Sequence, residues 1–402
     1  MNLRDIPVLG PRVPPRSVPD LGPAVTDALR ALPPAGGLTV LVNDPQRGTL
    51  TPAVLEALAG RFDAAAVRVL VATGTHTFDS RRRREFEGGL RAAIPAETIA
   101  WHDCRSSDLV PIGQGPSWRG HRWLVESDAL LAVGSVEPHY FAGFTGAHKT
   151  CTIGCAAYQD VEANHALAMG EAPAPARLDG NPIHDGILRM LDGLEAVRPV
   201  AAVNLVQAGP HIAAACGGKV RDALRHSAPV AEQVFVGRID RPADALIAEV
   251  TGVLAGSFYQ ADKGIKNNES ALADGGALIL AAPCRDGIGQ DQFVALLREA
   301  AGYEQAVEIV HRRGYRLGDH KAVRLRRLTD PKYRNVRVFA VSEGLSESDA
   351  EVLGFTKAPS VAAALAAAGV DPARDRVFHV RDAGNFCLLT STAPAGRTGG
   401  FG

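Results

Sequence analysis

The feature that most constrains this chain is a rhythm. From Pro23 onward, short β-branched runs alternate with longer stretches rich in alanine and leucine. Short continuous apolar runs suit strands buried on both faces, and parallel strands of that kind need helical crossovers between them. Leu38–Val42, Val67–Val71 and Ala129–Val133 are the clearest early strands. Each gives way to a cluster of glycine, aspartate or threonine, where the chain would leave the carboxyl edge of a sheet; open α/β sheets hold their ligands at that edge. A second series begins near Arg241: strand Ala243–Val250, helix Gln260–Leu272, then strands Ala277–Ala282, Val336–Val341 and Val377–Val380. The pattern predicts two α/β domains with mainly parallel sheets, and 402 residues exceed what one ordinary core organises. The polar stretch Gly237–Pro242 marks the boundary. Residues 1–238 are expected to form the amino-terminal domain and 239–402 the carboxyl-terminal one, with the last residues returning to the first. Glu171–Pro175 alternates proline with alanine and predicts an exposed loop, and the glycine-rich tail Gly396–Gly402 a frayed end. No repeat of fixed period suggests a solenoid or propeller.

Charge and cysteine usage narrow the partners. With 43 basic and 44 acidic residues, the chain has no charge excess to draw it to nucleic acid or an anionic membrane. Met1–Asp20 lacks the apolar core of a secretory signal, and no apolar run reaches membrane-spanning length. The six cysteines, at 104, 151, 155, 216, 284 and 387, are too scattered for a disulfide framework. The expectation is a cytoplasmic protein that acts on small molecules.

Four clusters carry the candidate chemistry. Val71-Ala-Thr-Gly-Thr75-His76 runs from a strand into a small-residue turn. There His76 is either an acid/base group, favoured by imidazole's near-neutral pKa, or a cap for the helix that follows. Arg81–Arg84 sit among acidic residues in that helix and read as a solvated face rather than a nucleic-acid contact. The densest cluster is Glu137-Pro-His139-Tyr-Phe-Ala-Gly143-Phe-Thr-Gly146-Ala-His148-Lys149-Thr-Cys-Thr-Ile-Gly154, with His165 soon after. Its histidines suit nickel, zinc, copper or iron, and their spacing matches no compact zinc motif. Cys151 and Cys155 read as buried thiols. Lys149 is a phosphate-binding lysine on a glycine-rich loop or a covalent anchor through its amine. Asp44-Pro-Gln-Arg47, directly after the first strong strand, offers a guanidinium fork for a carboxylate, or an ordinary turn with an aspartate cap. Tyr259-Gln260-Ala-Asp-Lys263 opens a helix in the second domain, where Gln260 and Lys263 share a face.

Taken together and in this order, the clusters resemble the lactate racemase family, and the resemblance spans most of the chain. It implies a cofactor site in the cleft between the two domains. Asp44 and Arg47 fall on the family's early aspartate–arginine pair, His76 on the histidine of its threonine-glycine-threonine-histidine turn, and His139 on a second catalytic histidine. Lys149 matches the lysine that carries a nickel-pincer nucleotide as a thioamide, and His165 the histidine that ligates nickel. Tyr259, Gln260 and Lys263 match a tyrosine-glutamine-x-x-lysine motif. Asp179-Gly-Asn181-Pro and Asp286-Gly-Ile-Gly289 also resemble family signatures. The implied activity is racemisation or epimerisation of a 2-hydroxy acid by removal and return of hydride, which avoids a carbanion beside a carboxylate. His76 and His139 would form the acid/base pair, Thr75 and Gly146 would join Lys149 and Asp44 around the cofactor, and Arg47, Tyr259, Gln260 and Lys263 would hold substrate. Separate biosynthetic proteins would carboxylate, sulfurate and metallate the nucleotide.

Two departures bear on substrate and site. Where lactate-active members tend to have aspartate-glutamine-tryptophan, this chain reads Asp319-His320-Lys321. A lysine there suggests a second carboxylate or a polyol on the substrate. His148, preceding Lys149, is unexpected, and reads as a phosphate contact, an extra base or an exposed bystander, the last preferred. The competing reading is a catalytically silent nickel or nucleotide binder, which retention of both His76 and His139 opposes. A dehydrogenase or zinc hydrolase fits poorly, because neither a G-x-G-x-x-G fingerprint nor compact zinc spacing is present.

Overall fold

The computed structural model describes residues 3–12, 20–63, 66–96, 98–113 and 118–391. The tail 392–402, with the expected fraying and return of the last residues, lies outside them. The chain divides into two compact units, one within Arg12–Val234 and the other made from the described residues of Met1–Pro11 and Phe235–Gly402. The sequence boundary of 238/239 thus falls a few residues later than this division, and the described residues before Arg12 join the carboxyl-terminal unit. The cause is local: Val8–Leu9 adds to that unit's sheet as a parallel edge strand beside Val377–Val380.

The amino-terminal unit is built on a six-stranded sheet. Its order is His211–Lys219, Val200–Ala208, Ala129–Ser135, Leu38–Asn43, Val67–Ala72, Thr98–Trp101. Pairing is parallel except in the hairpin of the first two. Gly209, at φ +58°, supplies the turn of that hairpin in a conformation costly for other residues. Ala129–Ser135 is buried along its whole length, as a central strand covered on both faces should be. The core beneath it joins Val40, Val42, Val69, Val71, Leu131 and Val133.

The carboxyl-terminal unit holds a second six-stranded sheet, parallel throughout, in the order Val8–Leu9, Val377–Val380, Ala243–Glu249, Leu272–Ala281, Arg337–Val341, Thr356–Lys357. Val236–Ile239 and Cys387–Thr390 form a separate parallel pair. The mainly parallel α/β architecture read from the sequence is what the structure has. One element differs. The helix expected over Gln260–Leu272 runs Phe258–Lys266, and Leu272 already begins a strand. Asn267 and Asn268 end it: Asn268 Nδ2 donates to the carbonyls of Gly264, Ala383 and Phe386, and its Oδ1 accepts from Leu388 N–H. Side chains that compete for backbone groups in this way stop helices.

All six cysteines are free thiols, five of them buried. Among the described residues no helix is long and apolar enough to cross a membrane.

Candidate active site

In the amino-terminal unit, the candidate residues follow strands at the carboxyl edge of the sheet. After Leu38–Asn43 the chain turns at Asp44, whose Oδ1 accepts from Gln46 N–H at 2.8 Å while its Oδ2 lies 2.8 Å from His76 Nδ1. That second contact fixes His76. A carboxylate on Nδ1 selects the tautomer that carries the proton there and leaves Nε2 as the acceptor. Asp44 is 5% exposed, so the pair is not diluted by solvent on the carboxylate side. His76 sits on the turn after Val67–Ala72, where Gly74 at φ +55° donates to Gly154 O and His76 N–H donates to Thr73 O. Thr75 lies half-buried between them.

The loop after Ala129–Ser135 is the centre of the site. Nearly every residue from Val136 to Thr150 is buried. Thr145 Oγ1 donates to Ser135 O at 2.7 Å and accepts from Glu137 N–H at 2.9 Å, folding the loop onto the strand that launches it. His139 forms a short antiparallel ladder with Gly143. Gly134 and Gly146 let the backbone close: a Cβ on Gly134 would lie 2.3 Å from Ala147 N, and Gly146 adopts φ +144°. Asn204 Oδ1, from the neighbouring strand, accepts from Ala147 N–H, and Asn43 Nδ2 donates to Thr150 Oγ1. The short helix that presents Lys149 is thus held from both adjoining strands.

Three candidate groups ring one side chain, Phe141. Its ring centroid lies 4.4 Å from that of His139 and 4.9 Å from that of His165, and Lys149 Nζ lies 5.6 Å from it. Burial, reinforced by the Arg47 charge and opposed by Glu137, holds the Lys149 amine well below the usual lysine range. Burial lowers His165 to about 3, with Lys149 and His76 adding to the shift. Lys149 is therefore poised toward the neutral, nucleophilic amine and His165 toward the neutral, metal-competent imidazole. Arg47 NH1 is 3.7 Å from Glu137 Oε1, which brings the early arginine to the same loop.

Two parts of this arrangement were not readable as such in the sequence. Asn181, from the Asp179-Gly-Asn-Pro signature, caps helix Pro182–Glu195 and also donates from Nδ2 to Phe141 O at 2.9 Å, pinning the loop at its centre. The proline-alanine segment does not stand free as expected: Ala176 N–H donates to Gly143 O, and Pro173 is buried. His148 is a second correction. Rather than an exposed bystander it is fully buried, against His184 with ring centroids 5.5 Å apart, and burial drives its pKa well below 6.5.

In the carboxyl-terminal unit, helix Phe258–Lys266 turns Tyr259, Gln260 and Lys263 to a half-buried face and buries Phe258, Ala261 and Ile265. The Asp286-Gly-Ile-Gly289 signature explains how it starts: Phe258 N–H donates to Gly287 O and Tyr259 N–H to Ile288 O, satisfying two orphan donors of its first turn. Gly289, at φ +80° with Ser257 Cβ 3.3 Å from where its own would stand, is needed for that approach. Lys321 is not open for a ligand. It is buried, donates to Tyr259 O, and lies 3.7 Å from Asp262 Oδ2.

The sequence model of the lactate racemase N-terminal domain matches residues 23–176, and that of the lactate racemase C-terminal domain matches 240–382. The chain belongs to the lactate racemase family. The lactate racemase of Thermoanaerobacterium thermosaccharolyticum is 31% identical over 279 residues, 67% of this chain and 64% of that protein. That of Lactiplantibacillus plantarum is 30% identical over 252 residues, 61% of this chain and 58% of that protein. The match thus spans less than two thirds of either relative. In fold, the chain is similar to the lactate racemase apoprotein of T. thermosaccharolyticum, with a TM-score of 0.80 at 23% identity over 95% of this chain and 94% of that one. A Thermotoga maritima protein gives 0.73 at 18% identity, covering 92% of this chain and 97% of its own.

Proposed function

We propose that this protein is an isomerase that racemises or epimerises a 2-hydroxy acid with a nickel-pincer nucleotide. The observation that carries the reading is the gathering of His139, His165 and Lys149 around Phe141, beside an Asp44-oriented His76. Those residues fit the cofactor: a depressed amine for covalent attachment and a neutral imidazole for nickel, side by side around one aromatic ring. Lys149 would hold it through its amine and His165 through a ring nitrogen, with Asp44, Thr75 and Gly146 lining the same loops. When bound, the group supplies a hydride acceptor and donor.

The chain's own residues then do the rest. His76 takes the hydroxyl proton at Nε2 while Asp44 stabilises the imidazolium that forms. His139 gives its proton to the oxygen as the opposite enantiomer forms, so one inversion leaves His76 protonated and His139 neutral, and the reverse inversion restores both. Arg47 offers its fork to the substrate carboxylate, and Gln260 and Lys263 donate to oxygens on the substrate. Because Lys321 is committed beneath Tyr259, it lends no support to a second carboxylate on the substrate.

The test is to express the protein with the enzymes that build the cofactor and to follow enantiopure 2-hydroxy acids by chiral chromatography. Conversion of at least one acid toward its mirror form or epimer, with nickel bound near one equivalent, is the expected result. Nickel-loaded protein that inverts none of lactate, malate or sugar-derived 2-hydroxy acids would overturn it.

A further inference from the structure

The helix Asp319–Thr329 carries a buried lysine on its first turn. Lys321 is 4% exposed, donates from Nζ to the carbonyl oxygen of Tyr259, and lies 4.1 Å from the centroid of the Tyr259 ring. Its third neighbour is Asp262 Oδ2 at 3.7 Å. Asp262 is fully buried, and neither of its oxygens has a hydrogen-bond partner among the described residues, so the Lys321 charge reaches it at ion-pair distance. Tyr259 and Asp262 both belong to helix Phe258–Lys266. One ammonium therefore grips a backbone oxygen, an aromatic face and a carboxylate on the opening turns of a single helix.

We propose that Lys321 is a positioning residue that fixes Tyr259 and the first turn of helix Phe258–Lys266, and so sets substrate affinity through Tyr259 without touching substrate. The physical ground is that a helix start is held by few bonds. Its first turn has orphan donors, and here the loop Gly287–Gly289 satisfies two of them while Lys321 holds the Tyr259 carbonyl. Burial holds the Lys321 amine down to about 8 and pushes Asp262 up, which makes the pair a costly device unless it positions something. The step from Tyr259 to substrate rests on the function proposed above; the grip on the helix does not.

The experiment separates the two. Hydrogen–deuterium exchange of the peptide covering 258–266 is compared in wild type, Lys321→Met, Lys321→Arg and Asp262→Asn. Faster exchange in Lys321→Met, restored in Lys321→Arg and intermediate in Asp262→Asn, is expected. Unchanged exchange in folded Lys321→Met overturns the proposal, whether or not any 2-hydroxy acid is turned over. The second arm is a double-mutant cycle with Tyr259→Leu on the acid turned over best. Lys321→Met is expected to raise KM about tenfold with kcat little changed, and to change KM less than about threefold once Tyr259 is Leu. Equal effects in both backgrounds would mean that Lys321 acts on substrate directly, and would overturn it.

Discussion

The two units are both built on mainly parallel sheets, yet they differ in which buried groups they hold. The amino-terminal unit holds five imidazoles pushed below their usual range by burial, at 102, 121, 148, 165 and 184, and a lysine pushed down with them. The carboxyl-terminal unit pairs more of its buried charges: Glu269 with Lys266 at 3.2 Å and with Arg324 at 3.1 Å, and Asp262 with Lys321, although burial still lowers Lys321 and raises Asp262. Strongly perturbed groups mark candidate functional sites, whereas removing one partner of a buried ion pair is costly. The proposed chemistry draws on the first group, and the proposed positioning of helix Phe258–Lys266 on the second.

The largest test of that contrast is catalytic. In cofactor-loaded protein, His76→Ala and His139→Ala are each expected to lower kcat by roughly 10²–10⁴ while leaving nickel content unchanged, the range for a lost general acid or base. Comparable losses from Gln260→Ala alone would move the chemistry toward the second unit. Next in size is a stability change. Glu269→Gln removes the carboxylate shared by Lys266 and Arg324 and is expected to cost about 3–5 kcal/mol in chemical denaturation. A cost below about 1 kcal/mol would show that the network is not compensating.

Acid should separate the units as well. Burial lowers His102 from 6.5 to about 4, with its bond to Ala156 O opposing the shift. Between those values the unfolded chain binds a proton that the folded chain does not, so stability falls as pH drops from 6.5 to 4, by about 3 kcal/mol from this group. Above pH 6.5 it contributes no slope. Hydrogen exchange at pH 5 is expected to rise first in peptides of the amino-terminal unit, and loss of protection beginning in the other unit would break the comparison. The smallest effect is a gain. Lys149→Met in the apoprotein removes an amine that burial penalises, and is expected to stabilise by about 1 kcal/mol, or roughly 2–4 °C.

Much of this was legible in the sequence, because the strands are continuous β-branched runs and the chemistry sits where those runs end. Leu38–Asn43, Val67–Ala72 and Ala129–Ser135 announce themselves by composition, and Asp44, His76 and the Glu137–Gly154 loop follow directly after them. What escaped depends on contacts between distant segments. The stop at Lys266 comes from Asn268 bonding to residues near 385, over a hundred positions away, and no local propensity encodes that. Burial of His148 arises from packing against His184 on another helix. Lys321 reads as a pocket cation by alignment alone; only the fold shows that Tyr259 and Asp262 already occupy it.

In the proposed reading, the amino-terminal unit holds a nickel-bearing nucleotide through Lys149 and His165. Intact mass and metal content, measured on wild type, Lys149→Ala and His165→Ala made alongside the cofactor-building enzymes, test it most directly. A covalent adduct with about one nickel is expected in wild type, no adduct in the lysine variant, and an adduct with depleted nickel in the histidine variant. Unmodified wild-type mass without nickel, or an adduct that survives loss of Lys149, would contradict it.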